Sequence, residues 1–196
     1  TAIRAAKDSL ARRKPATLSW RYGRCDLATN RDLREPAGNR NVCGFNPATP
    51  ADDTLLVGRA CDDATGRVVV TLVNYACHPT TLAWDNTSIS PDYVGAMREV
   101  VEGASGAPCL FLQGASGDLG PREGYVGDIA VAERNGVQLG FAALGGLYAL
   151  PLPGTRFEYA GPVVSGATLG TWKHQPLDPA AVERNAVFHC RRFTVE

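Results

Sequence analysis

The sequence predicts an α/β domain: a layered mixed sheet flanked by helices, with a β-hairpin feeding the central strand. Three observations predict it. Two apolar runs, 54–61 and 67–76, are separated by the polar Asp62-Asp63-Ala64-Thr65-Gly66, a hairpin with its turn at Gly66. Strand-like and helix-like segments alternate through the middle of the chain, as layered α/β architectures require. With 44% hydrophobic and 20% charged residues in 196, the composition permits one core, and the chain reads as a single domain spanning 1–196.

The elements follow in order. Ile3, Ala6 and Leu10 recur at helical spacing over 2–13, and Pro15 ends that helix. Arg12-Arg13-Lys14 is read as its solvated C-terminal end, where cations suit the helix dipole, rather than as a phosphate grip. Residues 16–27 alternate as a strand, and 28–53 form a long loop without apolar period. The strand at 67–76 is apolar on both faces in part, so it is expected to be central. A loop follows to Pro91, which opens a helix through Glu102, and 103–107 breaks it. Residues 108–113 form a short strand before the glycine-rich 114–124. A long helix spans 128–150, with Gly140, Ala142, Ala143, Gly145 and Gly146 allowing close packing. Strands at 162–172 and 187–195 bracket a short helix at 178–185.

Composition also excludes. Lys plus Arg and Asp plus Glu balance at 20 each, so nothing draws the chain to nucleic acid or an anionic membrane. No apolar run reaches the ~20 residues of a transmembrane segment. Residues 1–14 lack the apolar core of a signal peptide, and Thr1 is not expected to be a native start. The compartment stays open, cytoplasmic or exported. The six cysteines contain no C-x-x-C, so a structural zinc knot is not expected; Cys77 and Cys109 read as buried thiols.

The residues that can carry chemistry cluster around one histidine. His78 lies just past the end of the expected central strand, where α/β folds place their ligands, in a loop with Asp85, Asn86 and Asp92. A neutral imidazole there can bind zinc or act as a general base. The alternative is a hydrogen-bonded histidine that fixes its loop. His174 and His189 read as solvated or structural. The strand running into Gly114-Ala115-Ser116-Gly117-Asp118 has the outline of a nucleophile elbow, but the fifth position is Asp118 instead of glycine. Asp118 can orient a metal-bound histidine or cap a turn. Asn30, Arg31, Arg34 and Arg40 in the long loop offer substrate contacts or are surface residues, and Asp52 and Asp53 read as turn residues.

Four segments together resemble the neutral, non-lysosomal ceramidase family and its bacterial relatives. They are Asn30-Arg31 with Gly44-Phe45-Asn46-Pro47; Asp53-Thr54-Leu55-Leu56; Asn74 to Thr80 with Ile89 to Gly95; and Phe111 to Pro121, over roughly 15–150. The resemblance implies a zinc-dependent hydrolase of an amide, an N-acyl bond in a small-molecule or lipid-like substrate, using metal-activated water. It implies His78 as one metal ligand, Asp118 and Asp92 as catalytic residues that shape the site, and Asn30, Arg31 and Gln113 as substrate contacts. The family's other histidines lie upstream of what matches here, and its glutamate and tyrosine ligands downstream. The chain thus resembles the middle section of a larger catalytic domain, whose remainder is its implied partner. Ceramidases carry a serine in Gly-Asp-x-Ser-Pro; this chain has Gly120 in that place. That departure keeps two alternatives: a catalytically inactive ligand-binding domain, and a metal-free serine hydrolase using Ser116.

Overall fold

The computed structural model describes residues 1–187 and 189–194. Its elements are α1 (Ala2–Ala11), β1 (Ala16–Arg24), β2 (Ala28–Asn30), β3 (Asp32–Glu35), β4 (Arg40–Cys43), β5 (Thr54–Asp62) and β6 (Val68–Tyr75). Then come α2 (Tyr93–Ser105), β7 (Cys109–Gln113), β8 (Leu119–Pro121), α3 (Ile129–Tyr148), β9 (Thr155–Ser165), β10 (Ala167–Pro176) and α4 (Pro179–Asn185). The chain divides into two compact units, residues 1–150 and 151–196.

The first unit is the expected α/β layer. Its main sheet has the order β1-β5-β6-β7. β1 and β6 both run antiparallel to β5, and β6 runs parallel to β7 through the α2 crossover. The sheet is therefore mixed, and the β5–β6 hairpin feeds its interior, with Gly66 at φ 68° in the turn. Strand alternation puts Leu55, Val57, Val73, Tyr75 and Cys109 on one face, all buried. Tyr93, Met97 and Val101 of α2 and Leu139 and Ala143 of α3 complete that core.

α3 approaches α2 closely because it carries glycine where they cross. A β-carbon at Gly136 would run into the Tyr93 carbonyl oxygen and lie 2.7 Å from the Ala96 β-carbon; one at Gly140 would lie 2.7 Å from Val100. Gly140 and Gly146 act as the sequence led us to expect, and Gly146 abuts Val57. Gly145, also expected to pack, faces open space.

Several elements differ from expectation. The stretch 28–53 is not one loop: β2 pairs with β8, and β3 with β4. The β3–β4 hairpin turns at Asn39, at φ 46°, and an Arg40–Glu35 ion pair ties its strands. Mostly polar and solvent-facing, it shows no apolar period. α2 starts at Tyr93, because Asp92, not Pro91, caps it. It runs on to Ser105, and the left-handed Gly106 ends it rather than Gly103. In the second unit, the strand expected at 162–172 straddles a turn. Gly166, at φ 73°, reverses the chain, and β9 and β10 form one antiparallel hairpin. α4 falls where expected, capped by Asp178. Residues 187 and 189–194 carry no strand; Phe188 and Val195 of the strand expected at 187–195 lie outside the described residues.

The α2–α3 crossing yields a paired prediction. Alanine favours a helix over glycine by about 1 kcal/mol. Gly145→Ala should therefore stabilise the chain by about that amount. Gly136→Ala should destabilise it by about 2 kcal/mol, because the clash with the Tyr93 carbonyl outweighs the same gain. Urea melts of both variants check this, and equal effects of either sign would contradict it.

Candidate functional site

The site forms where two parallel strands end side by side. β6 and β7 stop at Tyr75 and Gln113, directly paired in register. The ladder continues one step, Gly114 N–H donating to the Tyr75 carbonyl at 2.9 Å. Glycine at 114 permits this, since a β-carbon there would sit 3.0 Å from the Ala76 backbone. The two loops beyond are then laced together, with His78 N–H donating to the Leu119 carbonyl at 3.1 Å.

His78 is half-buried, and its Nδ1 lies 2.6 Å from the Ser116 carbonyl oxygen. A carbonyl only accepts, so this contact places a proton on Nδ1, and in the neutral ring the lone pair is then on Nε2. That is the state in which an imidazole serves as metal ligand or base, and a backbone carbonyl is a usual partner for the other nitrogen. The reading of His78 as a histidine that fixes its loop is met by the same bond, which uses only one nitrogen.

The loop after His78 is held from several sides. Tyr125 N–H and Val126 N–H donate to the Thr80 and Thr81 carbonyls, and Asn135 Nδ2 donates to Thr81 Oγ1 at 3.1 Å. Asp92 supplies another tie: Oδ2 accepts from Leu82 N–H at 2.8 Å and Oδ1 from Tyr93 N–H at 2.7 Å. Asp92 adopts φ 54°, ψ −148°, unusual for a residue with a β-carbon. Its carboxylate thus joins the His78 loop to the start of α2. Beneath the loop, Tyr93 Oη and Gln113 Nε2 both donate to the Cys77 carbonyl, and Gln113 Nε2 also reaches Ser116 Oγ at 2.6 Å.

The third strand of chain comes from β2. Its antiparallel pairing with β8 sets Asn30 opposite Leu119 and Thr29 opposite Gly120. Asn30 is buried, and its Nδ2 donates to Asp118 Oδ2 at 3.3 Å. Arg31 donates through Nε and Nη2 to the Gly117 carbonyl at 3.2 and 2.9 Å, and through Nη1 to Tyr125 Oη at 3.3 Å. Residues 30–31, 78 and 113–118, remote in sequence, therefore meet. Arg34 bonds to Asn39 and Asn41 within its own hairpin, and Asp53 pairs with Arg24. Asp52 accepts from Thr54 N–H, and hydrogen bonds to Thr54 hold its carboxyl below the usual range. His174 lies in the second unit against Phe157.

Two features limit the chemistry. Burial pushes the Cys77 thiol up to about 12, so beside His78 it stays a protonated thiol near neutral pH. Burial likewise raises Tyr75 and Tyr93, which stay protonated donors. Gly120 is not imposed by strain or crowding: a β-carbon there would make ordinary contacts, 3.5 Å from Arg31 Cδ and 3.7 Å from Thr80 Oγ1. Tyr125, Tyr93, Thr81 and Asn135 were not singled out by their sequence. The side chain of each acts through a hydrogen bond to a residue distant in sequence, which no local pattern announces.

Zinc needs at least three protein ligands in a catalytic site. Among the described residues no three His, Cys, Asp or Glu side chains converge to hold a metal ion. The residues present fit one position of such a site, through His78 Nε2, and do not fill it.

The tautomer is directly testable. Two-dimensional ¹⁵N–¹H spectra of labelled protein should show His78 protonated at Nδ1 and unprotonated at Nε2 when neutral. The opposite tautomer would refute the Ser116 contact.

No protein-family model matches the chain, and no curated protein matches it. Among solved structures it is similar to the neutral ceramidase from Pseudomonas aeruginosa, at 20% identity and a TM-score of 0.59, over 86% of this chain and 30% of that one. It is similar also to a ceramidase complexed with C2, at 19% identity and a TM-score of 0.58, over 86% of this chain and 29% of that one. The chain shares the fold of a part of these enzymes and spans about three-tenths of their length.

Proposed function

We propose that this chain is part of a hydrolase of amide bonds, ceramidase-like, acting on a small-molecule or lipid-like N-acyl substrate. The observation that carries the reading is the 2.6 Å contact from His78 Nδ1 to the Ser116 carbonyl. It presents a free Nε2 at the carboxyl end of two parallel strands, in a fold shared with ceramidases. His78 supplies one imidazole to a zinc centre, and the remainder of the catalytic domain supplies the other ligands. The chemistry such a centre would supply when loaded is that of a Lewis acid, which polarises a carbonyl and can lower the pKa of water to about 7.

The chain's own residues position that imidazole. Ser116 fixes the ring through its carbonyl, while Gln113, Arg31 and Asn30 hold the 116–118 loop that carries it. Asp92 anchors the following loop to α2. Asp118 is exposed, with Oδ2 on Asn30, and can meet a substrate or hold a proton at its free oxygen. Arg31 lies over Gly117 beside Gly120, where it can meet the acyl carbonyl or a headgroup.

The metal-free serine hydrolase is less well supported. The Ser116 hydroxyl is buried and bonded to Gln113, which is no base, and His78 meets the Ser116 carbonyl instead. The inactive binding domain draws on Gly120, which leaves no hydroxyl where ceramidases have one.

A screen of N-acyl amides with the polypeptide that carries this chain and its flanking sequence should find turnover, and His78→Ala should lower it at least about 100-fold. Hydrolysis unchanged in His78→Ala would sink the reading. Labelling of Ser116 by a fluorophosphonate would replace it with the serine mechanism, and binding without turnover would favour the inactive domain.

A further inference from the structure

Within the first unit, among the described residues, helices cover only one face of the main sheet. α2 and α3 pack on the face that holds Val57, Val73 and Tyr75. On the other face the register builds two rows that are apolar but for Asn74. One runs Trp20, Gly58, Leu72, Leu110, and the other Tyr22, Leu56, Asn74, Leu112. A sheet face meant for water alternates to polar side chains. Here Trp20 is 67% exposed, Tyr22 72% and Leu112 49%. Apolar patches that run across several strands mark contact surfaces in soluble proteins.

We infer that this face docks a further layer of the same catalytic domain, an amphipathic layer with an apolar inner side supplied by the part of the ceramidase-like enzyme that this chain does not span. The inference rests on the proposed function for the identity of that layer. Two independent observations select this occupant over a second copy of the chain. The ceramidase of the same fold matches over only 30% of its own length, so most of its mass lies outside the matched layer. The alternation of β6 also continues past its end: Thr71, Val73, Tyr75 and Cys77 are buried, and Leu72, Asn74, Ala76 and His78 form the other series. The half-buried histidine thus belongs to the series of the uncovered face. A layer laid on that face passes the site that lacks its other ligands, so one missing layer accounts for both the bare sheet and the incomplete donor set.

The test replaces Trp20 and Leu112 together by lysine. In the 196-residue chain, bis-ANS fluorescence should fall at least about fivefold while the thermal midpoint moves by no more than about 3 °C. Phe141→Lys, an exposed apolar residue of α3, should leave the dye signal in place. In the polypeptide extended by its natural flanking sequence, the same pair should lower the midpoint by at least about 10 °C or prevent folding, because it buries two charges. An unchanged dye signal, or an extended polypeptide indifferent to the pair, would overturn the inference. So would a discrete dimer of the 196-residue chain that the pair dissolves in sedimentation equilibrium, which would assign the face to self-pairing. None of these readouts depends on hydrolysis, so a covered face in an enzyme without amide turnover would fail the functional reading and leave this one standing.

Discussion

The parallel pairing of β6 with β7 is the constraint on which the rest of the first unit depends. Parallel neighbours need a crossover, and α2 provides it, so both strands end at the same edge. Everything at that edge follows from their register. Tyr75 opposite Gln113 puts the 76–82 loop beside the 114–121 loop, and Gly114 lets the two backbones touch. A slip of one residue would turn His78 toward the helices and Cys77 toward the open side. The helical layer secures the register from below, through a core of Tyr75, Tyr93, Met97 and Leu139 in which glycines let α3 lie close on α2.

The site is built on backbone carbonyls and amides more than on pairs of side chains. His78 is oriented by a carbonyl, as are Tyr93, Gln113 and Arg31, while Asp92 grips two amides. Such a frame is stiff, because each loop is fixed by atoms that cannot rotate away. It is also incomplete as chemistry, since it holds a single imidazole and an exposed carboxylate in place.

Much of this was legible in the sequence, and what was not has physical causes. The hairpin around Gly66 and the strand before His78 announced themselves through β-branched runs and a polar turn, which are local signals. The spacing of small residues in α3 announced close packing, but could not say which glycine meets a neighbour: Gly140 and Gly146 do, Gly145 does not, and Gly136 does so most. The β3–β4 hairpin was missed because, largely exposed and polar, it has no apolar period to read. The second-unit hairpin was misplaced because the Ser165-Gly166 turn is short and the strands on both sides are alike in composition. At the site, the prominence of His78 followed from its place after a buried strand. The tie of Asn30 and Arg31 to Asp118 and Gly117 spans more than 80 residues in each case, and only the fold could reveal it.

The account turns on His78 Nε2 being a metal ligand that needs partners from outside this chain. Metal analysis of the purified flanked polypeptide, beside its His78→Ala variant and the 196-residue chain, tests it most directly. The account predicts about one tightly held zinc per flanked polypeptide, and essentially none in the variant or in the short chain. Zinc retained in full by His78→Ala, or held tightly by the short chain alone, would contradict it.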